Sequence, residues 1–451
     1  MLLLTAALLP AAEPCRLRVV DAESGWPVPL VELRTTHQVS FFTDNAGAVA
    51  FDLPELMGTE TWLTVEADGY ERKADGFGFR GFRFTPQPGG DHEIAVERTI
   101  VAKRLGRLTG GGIFAESQKL GEHADWRESG ILGSDSVQVA VHRGRRFWAW
   151  GDTLVPRYPL GLFHMASATT ALKPLSSFAP PLKLPFDYFR DDDGRVRVVA
   201  NVFPDDPGPT WISGYVSLPD ATGSERLVGC YSKIEPPMKA YRVGLCEWND
   251  GESRFESIEV LWDKKTDGGT EPKLQPVGHP AFWTAPEGKR WLLLGDPFPS
   301  IRLPATYEGW RDRRTWESID PPRSLTGADG RKIKPHRGSI AWNAYRQRWV
   351  TVFGEIGGDP SPLGELWYAE ADSPLGPWGR AVKVLSHRRL TFYNPRLHPD
   401  LTPAGSPILL FEGTYTHSFS KETRQTPRHD YNQILYRLDL DDPALAPARE
   451  R

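Results

Sequence analysis

One layout recurs through most of this 451-residue chain: a short β-like run, a turn, and a second run that ends in an acidic residue. Clear copies pair 137–141 with Phe147-Trp-Ala-Trp-Gly-Asp152, 280–283 with Trp291-Leu-Leu-Leu-Gly-Asp296, 338–342 with Trp349-Val-Thr-Val-Phe-Gly-Glu355, and 396–398 with Ile408-Leu-Leu-Phe-Glu412. A weaker copy pairs 211–218 with 227–235, ending in Glu235. The steps between the acidic ends, from Asp152 through Glu235, Asp296 and Glu355 to Glu412, are 83, 61, 59 and 57 residues. A further β-like run follows most of them, at 165–172, 241–248, 365–371 and 431–440. Units of this size suit propeller blades with long loops better than shorter solenoid repeats. With no long amphipathic helix pattern, the expected class is all-β: a five-bladed β-propeller over 101–451, preceded by a small β-sandwich over 13–100. A sandwich joined to a barrel is the competing layout.

Propeller geometry gathers particular residues. The first strand of a blade starts on one face of the disc and the second returns to it, so strand-one starts, strand-two ends and strand-three starts share a face. Strand-one starts are Asp135, His279, His336-Arg337 and Tyr393-Asn394. Strand-two ends are Asp152, Glu235, Asp296, Glu355 and Glu412, and strand-three starts bring His164, Arg428, Asp430 and Tyr431. All are expected at the mouth of the central channel. Asp135 to Asp152 and His279 to Asp296 both span 17 residues, so two blades share one register. A ring of carboxylates mixed with His, Arg and Tyr suits a carbohydrate: carboxylates grip hydroxyls, and glycoside cleavage needs two carboxyls in different protonation states. Crowded like charges raise one pKa and create the acid. Asp135 and Asp152 are the expected catalytic pair, with Glu355 across from them as the third carboxyl and the others as substrate-binding residues. The competing reading is a non-catalytic propeller that binds glycans or a protein partner.

Residues 16–98 alternate in short β-like runs separated by turn clusters, as in a small sandwich. The order Val20-Asp-x-x-Ser-Gly25, Thr43-Asp-x-x-Gly47 and Asp68-Gly-Tyr70 resembles the transthyretin-like or carboxypeptidase-regulatory-like sandwich, usually an accessory domain. Met1–Ala12, MLLLTAALLPAA, has the apolar centre and small-residue end of a secretory signal, which implies a secreted or periplasmic protein. Cys230 and Cys246 lie symmetrically about Met238 in a turn-like segment, so a symmetric hairpin would make them cross-strand neighbours, either disulfide-bonded or as buried free thiols.

Several classes are excluded or disfavoured. Lys plus Arg 54 against Asp plus Glu 58 gives a net charge of −4, too acidic for a nucleic-acid partner. No run approaches the roughly 18 apolar residues of a membrane span. No GxSxG elbow and no HExxH zinc motif occurs, and the 11 His are scattered, so no metal site is assigned. Asp191-Asp-Asp-Gly194 has the composition of a calcium loop but reads better as a hairpin turn, leaving structural calcium open and no cofactor required. Asp312-Arg-Arg-Thr-Trp316 resembles a sialidase Asp-box in part but lacks its Gly. Trp148 and Trp342 are expected to pack between sheets. The chain is expected to act as a monomer on a carbohydrate.

Trp150-Gly-Asp-Thr153 resembles the WGDT signature of a family of secreted five-bladed propellers that includes arabinofuranan hydrolases, and Ala369-Glu-Ala-Asp-Ser-Pro-Leu-Gly-Pro-Trp378 resembles a blade edge of arabinanase-like and levansucrase-like enzymes. Phe392-Tyr-Asn-Pro395, 411–416 and Asp430-Tyr-Asn-Gln433 resemble a bacterial subgroup of exported propellers. The resemblance covers 101–440 and implies a glycoside hydrolase with Asp135 and Asp152 as its catalytic pair. The chain departs from the arabinanase-like pattern at its first blade, where Gly133-Ser-Asp-Ser136 stands in place of Arg-Asp-Pro.

Overall fold

The computed structural model describes residues 13–126, 130–162, 164–388, 390–420 and 430–450, with side chains 158–162 left aside. The signal-like segment 1–12 lies outside them. The chain divides into two compact units: Met1–Thr99 with Phe114–Arg127 and Ala179–Pro181, and Ile100–Ile113 with Glu128–Phe178 and Leu182–Arg451. No described helix is long and apolar enough to cross a membrane.

The first unit has two four-stranded sheets. One orders Ala48–Phe51, Cys15–Asp21, Asp91–Arg98 and Tyr70–Glu71; the other orders Ser40–Phe42, Glu32–Thr35, Thr61–Glu66 and Gly81–Phe84. Thr61–Glu66 alternates buried and half-buried residues, so Leu63 and Val65 join Leu17, Val19, Val49 and Phe51 in one core. The turn residues have specific tasks. Asp44 accepts from the amides of Ala46 and Ala48 at 2.9 and 3.1 Å. Gly47 sits at φ +67°, where a Cβ would lie 2.6 Å from the Val19 carbonyl oxygen. Asp21 accepts from the amides of Glu23 and Ser24 at the first turn.

Among the described residues the second unit holds, besides one three-stranded and one two-stranded sheet, five four-stranded antiparallel sheets, I to V. Their first, inner strands are Val137–His142, Thr210–Pro219, His279–Thr284, Pro335–Asn343 and Thr391–Leu397. Their second strands are Arg145–Trp150, Glu225–Glu235, Arg290–Gly295, Arg348–Glu355 and Ile408–Thr416. Sheet V takes its outer strand, Lys103–Arg107, from ahead of sheet I; it pairs antiparallel with Asn432–Asp439. Side chains or amides join each sheet to the next. His142 Nδ1 meets Ser217 Oγ at 2.8 Å, Gly214 N donates to Gly278 O at 3.0 Å, and Gly338 N donates to Asp296 Oδ1 at 2.6 Å. Leu397 N donates to Ser339 Oγ at 2.8 Å, and Arg396 Nη2 returns to the Val139 carbonyl at 2.7 Å. Gly214 is needed for this close approach: at φ +67°, its Cβ would lie 1.9 Å from the Pro276 carbonyl oxygen.

Why the second strands read as unbroken apolar runs is now evident. Each lies between two neighbouring sheets, so alternate residues serve different interfaces. Trp291 and Leu293 pack towards sheet IV, whereas Leu292 and Leu294 pack towards sheet II. Burying one such Leu stabilises by about 1.5–3 kcal/mol. Trp148 is fully buried, as expected, but Trp342 is 45% exposed and touches Trp349 only edge-on. Asp191–Gly194 closes as a turn, with Gly194 N bonded to Asp191 O.

The hairpin holding Cys230 and Cys246 departs from the symmetric register. Glu235 pairs with Lys239, centring the turn on Pro237, and a shift at Lys233/Ile234 then leaves Cys230 opposite Leu245 and Gly229 opposite Cys246. One residue of offset puts the two thiols on opposite faces. Cys246 packs in the layer between sheets I and II and Cys230 in the layer between II and III. Both are free and buried.

Candidate functional site

Asp135 precedes the inner strand of sheet I, and Asp152 follows its partner strand. Two backbone hydrogen bonds clamp them together: Asp135 N to Asp152 O at 2.8 Å and Gly151 N to Asp135 O at 2.7 Å. The two carboxyls have unlike surroundings. Asp135 accepts from Ser136 Oγ at 2.5 Å and from Thr414 Oγ1 at 3.3 Å, with the Tyr393 phenol nearby. Burial raises its pKa, and those donors pull it back. Asp152 has the Trp211 side chain as a donor, while its Oδ1 is buried with no hydrogen-bond partner among the described residues. Burial, and then the charge of Asp135, push Asp152 up to about 6.

Tyr393 and Tyr431 form the adjoining wall. The Tyr431 phenol lies close to that of Tyr393. Burial and then Asp135 hold both phenols above their ordinary range, Tyr431 at about 12. Asn394 Nδ2 donates to Ser136 Oγ, tying sheet V to sheet I beside the carboxyls. From the other side, Arg337 carries its guanidinium on Asp296, Nη1 to Oδ2 at 2.6 Å, and Asp135 lies close enough to raise the Arg337 pKa. Burial raises the Asp296 pKa against the pull of Arg337 and Gly338 N. His336, beside them, has its pKa lowered by burial and then by Arg337.

The backbone marks the same place. Ser136, Arg337, Asn394 and Tyr431 adopt φ of +35°, +49°, +52° and +50°. Left-handed non-glycine residues cost about 1–3 kcal/mol each and collect at functional sites. The inner strands of sheets IV and V also slip register beside them, at His336/Gly338 and Tyr393/Arg396.

The other expected residues have the following partners. Glu412 is not at a strand end: its strand continues to Thr416, and the bulge of the inner strand sets Arg396 opposite Glu412 and Tyr393 opposite Thr414. Glu412 is fully buried and pairs with His398 at 2.8 Å. Glu355 accepts from Trp367 Nε1 at 2.9 Å and faces Arg331 at 3.8 Å, so the carboxyl linked to Asp135 through Arg337 is Asp296 instead. Glu235 is partly exposed in an ion pair with Lys264. His279 is buried, its Nδ1 against Arg396 Nη1 at 2.9 Å; burial and the cations Arg396 and Arg337 drive its pKa well down. His164 Nδ1 accepts from Thr210 N at 3.1 Å, and burial followed by Lys233 lowers its pKa. Asp430 Oδ1 accepts from Thr416 Oγ1 at 2.9 Å and meets His417 Nδ1 at 2.5 Å. Arg428 lies outside the described residues. Trp211, Ser136, Thr414 and Arg396 are not among the expected site residues, although Ser136 adjoins Asp135, Trp211 and Arg396 begin two of the repeated runs, and Thr414 lies in the segment 411–416. Among the described residues, no group of three or more His, Cys, Asp and Glu is placed to hold a metal.

No family model and no curated protein matches the sequence. Among solved structures, similar ones include an exo-1,5-α-L-arabinanase from a bovine ruminal metagenomic library, at 9% identity and TM-score 0.39 over 68% of this chain and 94% of that one. An α-L-arabinanase mutant of Cellvibrio cellulosa matches at 12% and 0.38 over 68% and 92%, and an arabinanase of Bacillus subtilis at 9% and 0.35 over 68% and 96%. At such identities and TM-scores, the site's own chemistry has to carry the functional reading.

Proposed function

We propose that the chain is an exported glycoside hydrolase whose site is the mouth formed by the inner-strand starts of sheets I, IV and V. The observation that carries this reading is the inequality of two adjacent carboxyls. Asp152, poorly supplied with donors and raised to about 6, holds its proton up to about pH 6 and serves there as the acid that protonates the leaving oxygen. Asp135, which accepts from Ser136 Oγ and Thr414 Oγ1, acts as base or nucleophile beside it. Asp296 holds Arg337 beside Asp135, and Arg337, His336, Asn394 and Tyr431 would hold substrate hydroxyls. Residues 101–451 would form the catalytic domain, acting as a monomer without a cofactor, and 13–100 an accessory sandwich. Export rests on the signal-like composition of 1–12.

The test is a screen of purified protein against a polysaccharide panel, reading new reducing ends. Cleavage that falls about 10²–10⁴-fold in both Asp135→Asn and Asp152→Asn supports the reading. Full activity in both folded variants refutes the assignment. Binding without cleavage across the panel would establish the glycan-binding alternative.

A further inference from the structure

Sheets I and III bring Asp152 and Asp296 to the ends of their second strands. In sheet V that place belongs to His417, because the second strand runs past Glu412 to Thr416 and His417 follows it. Thr414 and Thr416 lie two apart on this strand and so share a face. Thr414 Oγ1 donates to Asp135 at 3.3 Å and Thr416 Oγ1 to Asp430 Oδ1 at 2.9 Å, which sets the two carboxyls about 7 Å apart along the strand. His417 is tied to Asp430 twice, by its amide at 2.8 Å and by ring Nδ1 at 2.5 Å. The Asp430 side chain is 6% exposed, too buried to grip a substrate, whereas the imidazole is 28% exposed and its Nε2 meets no partner among the described residues. Asp430 takes three hydrogens on Oδ1 and leaves Oδ2 buried without a partner among the described residues, an arrangement that fixes the ring more than it satisfies the carboxylate.

We propose that His417, oriented by Asp430, is a substrate-binding residue whose Nε2 takes the hydrogen of a sugar hydroxyl one subsite away from Asp135 and Asp152. The proposal rests on the glycan-cleaving reading for its ligand. A carboxylate only accepts, so the hydrogen between Nδ1 and Asp430 belongs to the ring. In the neutral imidazole Nε2 is then the acceptor, and the bond at Nδ1 selects that tautomer. Arg337, on the other side of Asp135, can only donate, so the mouth accepts from hydroxyls on one side and gives hydrogens to them on the other. An acceptor backed by a carboxylate suits an uncharged sugar unit and repels a uronic acid. Asp430, expected as a direct substrate contact, is the positioning residue behind the ring.

The experiment has two arms on the full-length protein. ¹H–¹⁵N NMR of the histidine rings at pH 8, with His417 assigned by its loss in His417→Asn, should show the hydrogen on Nδ1 and none on Nε2; a hydrogen on Nε2 overturns the proposal. Asn at this position places an amide nitrogen where Nδ1 stood, so it keeps the Asp430 bond and removes Nε2 alone. On a glycan that the parent cleaves, the variant should raise KM about 3–10-fold, the worth of one hydrogen bond, and leave kcat unchanged. An unchanged KM, or a loss confined to kcat, overturns the proposal, as does a parent that cleaves a polyuronide in preference to neutral glycans. If His417→Asn does not fold, His417→Gln, which gives up the fixed ring as well, replaces it in both arms, with the same rise in KM expected. If a panel glycan binds without being cleaved, the hydrolase reading fails, and the subsite stands if the variant weakens that binding about 3–10-fold and falls if it does not. A parent that neither cleaves nor binds any panel glycan overturns both.

Discussion

Replacing Asp152 with Asn should make the protein more stable at neutral pH. The carboxyl is raised from its ordinary 3.8 to about 6, by burial first and by the charge of Asp135 second. The folded state therefore holds this proton more tightly than the unfolded chain does. Stability from this group is fully present below about pH 4, falls as pH climbs from about 4 to 6, and stays lost above that. At 1.36 kcal/mol per unit, the full shift corresponds to about 3 kcal/mol. Asp152 is half-buried, and screening reduces this to about 1–2 kcal/mol. Asn keeps the shape and the Trp211 bond but carries no charge to bury. The assay is urea unfolding followed by tryptophan fluorescence at pH 4 and pH 8, urea being chosen because guanidinium salts would screen the charges. Parent and variant should have nearly equal midpoints at pH 4, and the variant should be higher at pH 8. A variant equally or less stable at pH 8 would show that Asp152 ionises without cost and would refute the assignment of the acid. Gained stability together with lost activity is the pattern expected where a site is strained for its task.

Three further outcomes follow from other contacts. Arg396→Met should destabilise the second unit by about 3 kcal/mol in the same assay, because it leaves the Val139 carbonyl and His279 without their buried partner; a change under about 0.5 kcal/mol would show that the guanidinium holds nothing. Under oxidising conditions Cys230 and Cys246 should stay unpaired and react with an alkylating reagent only after unfolding, since they face opposite layers and burial pushes the Cys230 thiol up to about 12; a mass showing an internal disulfide would contradict the hairpin register. Glu235→Gln should leave glycan cleavage unchanged and shift stability by less than about 1 kcal/mol, as for an exposed ion pair; a large loss of activity would return Glu235 to the site.

Much of the fold was legible because it repeats. The paired runs with Gly-Asp or Gly-Glu at their ends became the first two strands of sheets I, III and IV, since a strand buried on both faces has few ways to be written other than Trp-Leu-Leu-Leu. Asp135 and Asp152 were legible for the same reason: antiparallel pairing brings a strand's start to its partner's end. Sheet V was misjudged by four residues because a bulge is silent in sequence, so Glu412 looked like an end when the strand ran on to Thr416. The Cys pair failed through a one-residue shift of the same kind. Glu355 ends its strand as expected, but a strand end says nothing about which way its side chain turns, and Trp367 claims it. The outer strand Lys103–Arg107 carries no feature of its own; only its partner, more than 300 residues later, makes it a strand.

That borrowed strand fixes the order in which the second unit can be completed during synthesis. Sheets I to IV can each form from consecutive residues as the chain emerges, whereas the sheet that joins Asn432–Asp439 to Lys103–Arg107 cannot exist until the intervening residues have been made. Through all that time the edge at Lys103–Arg107 waits unpaired, the condition in which strands pair with the wrong chain. A chain cut short before residue 432 would keep that edge open permanently. Its sheets could still form one by one, and it would be expected to assemble with copies of itself instead of closing.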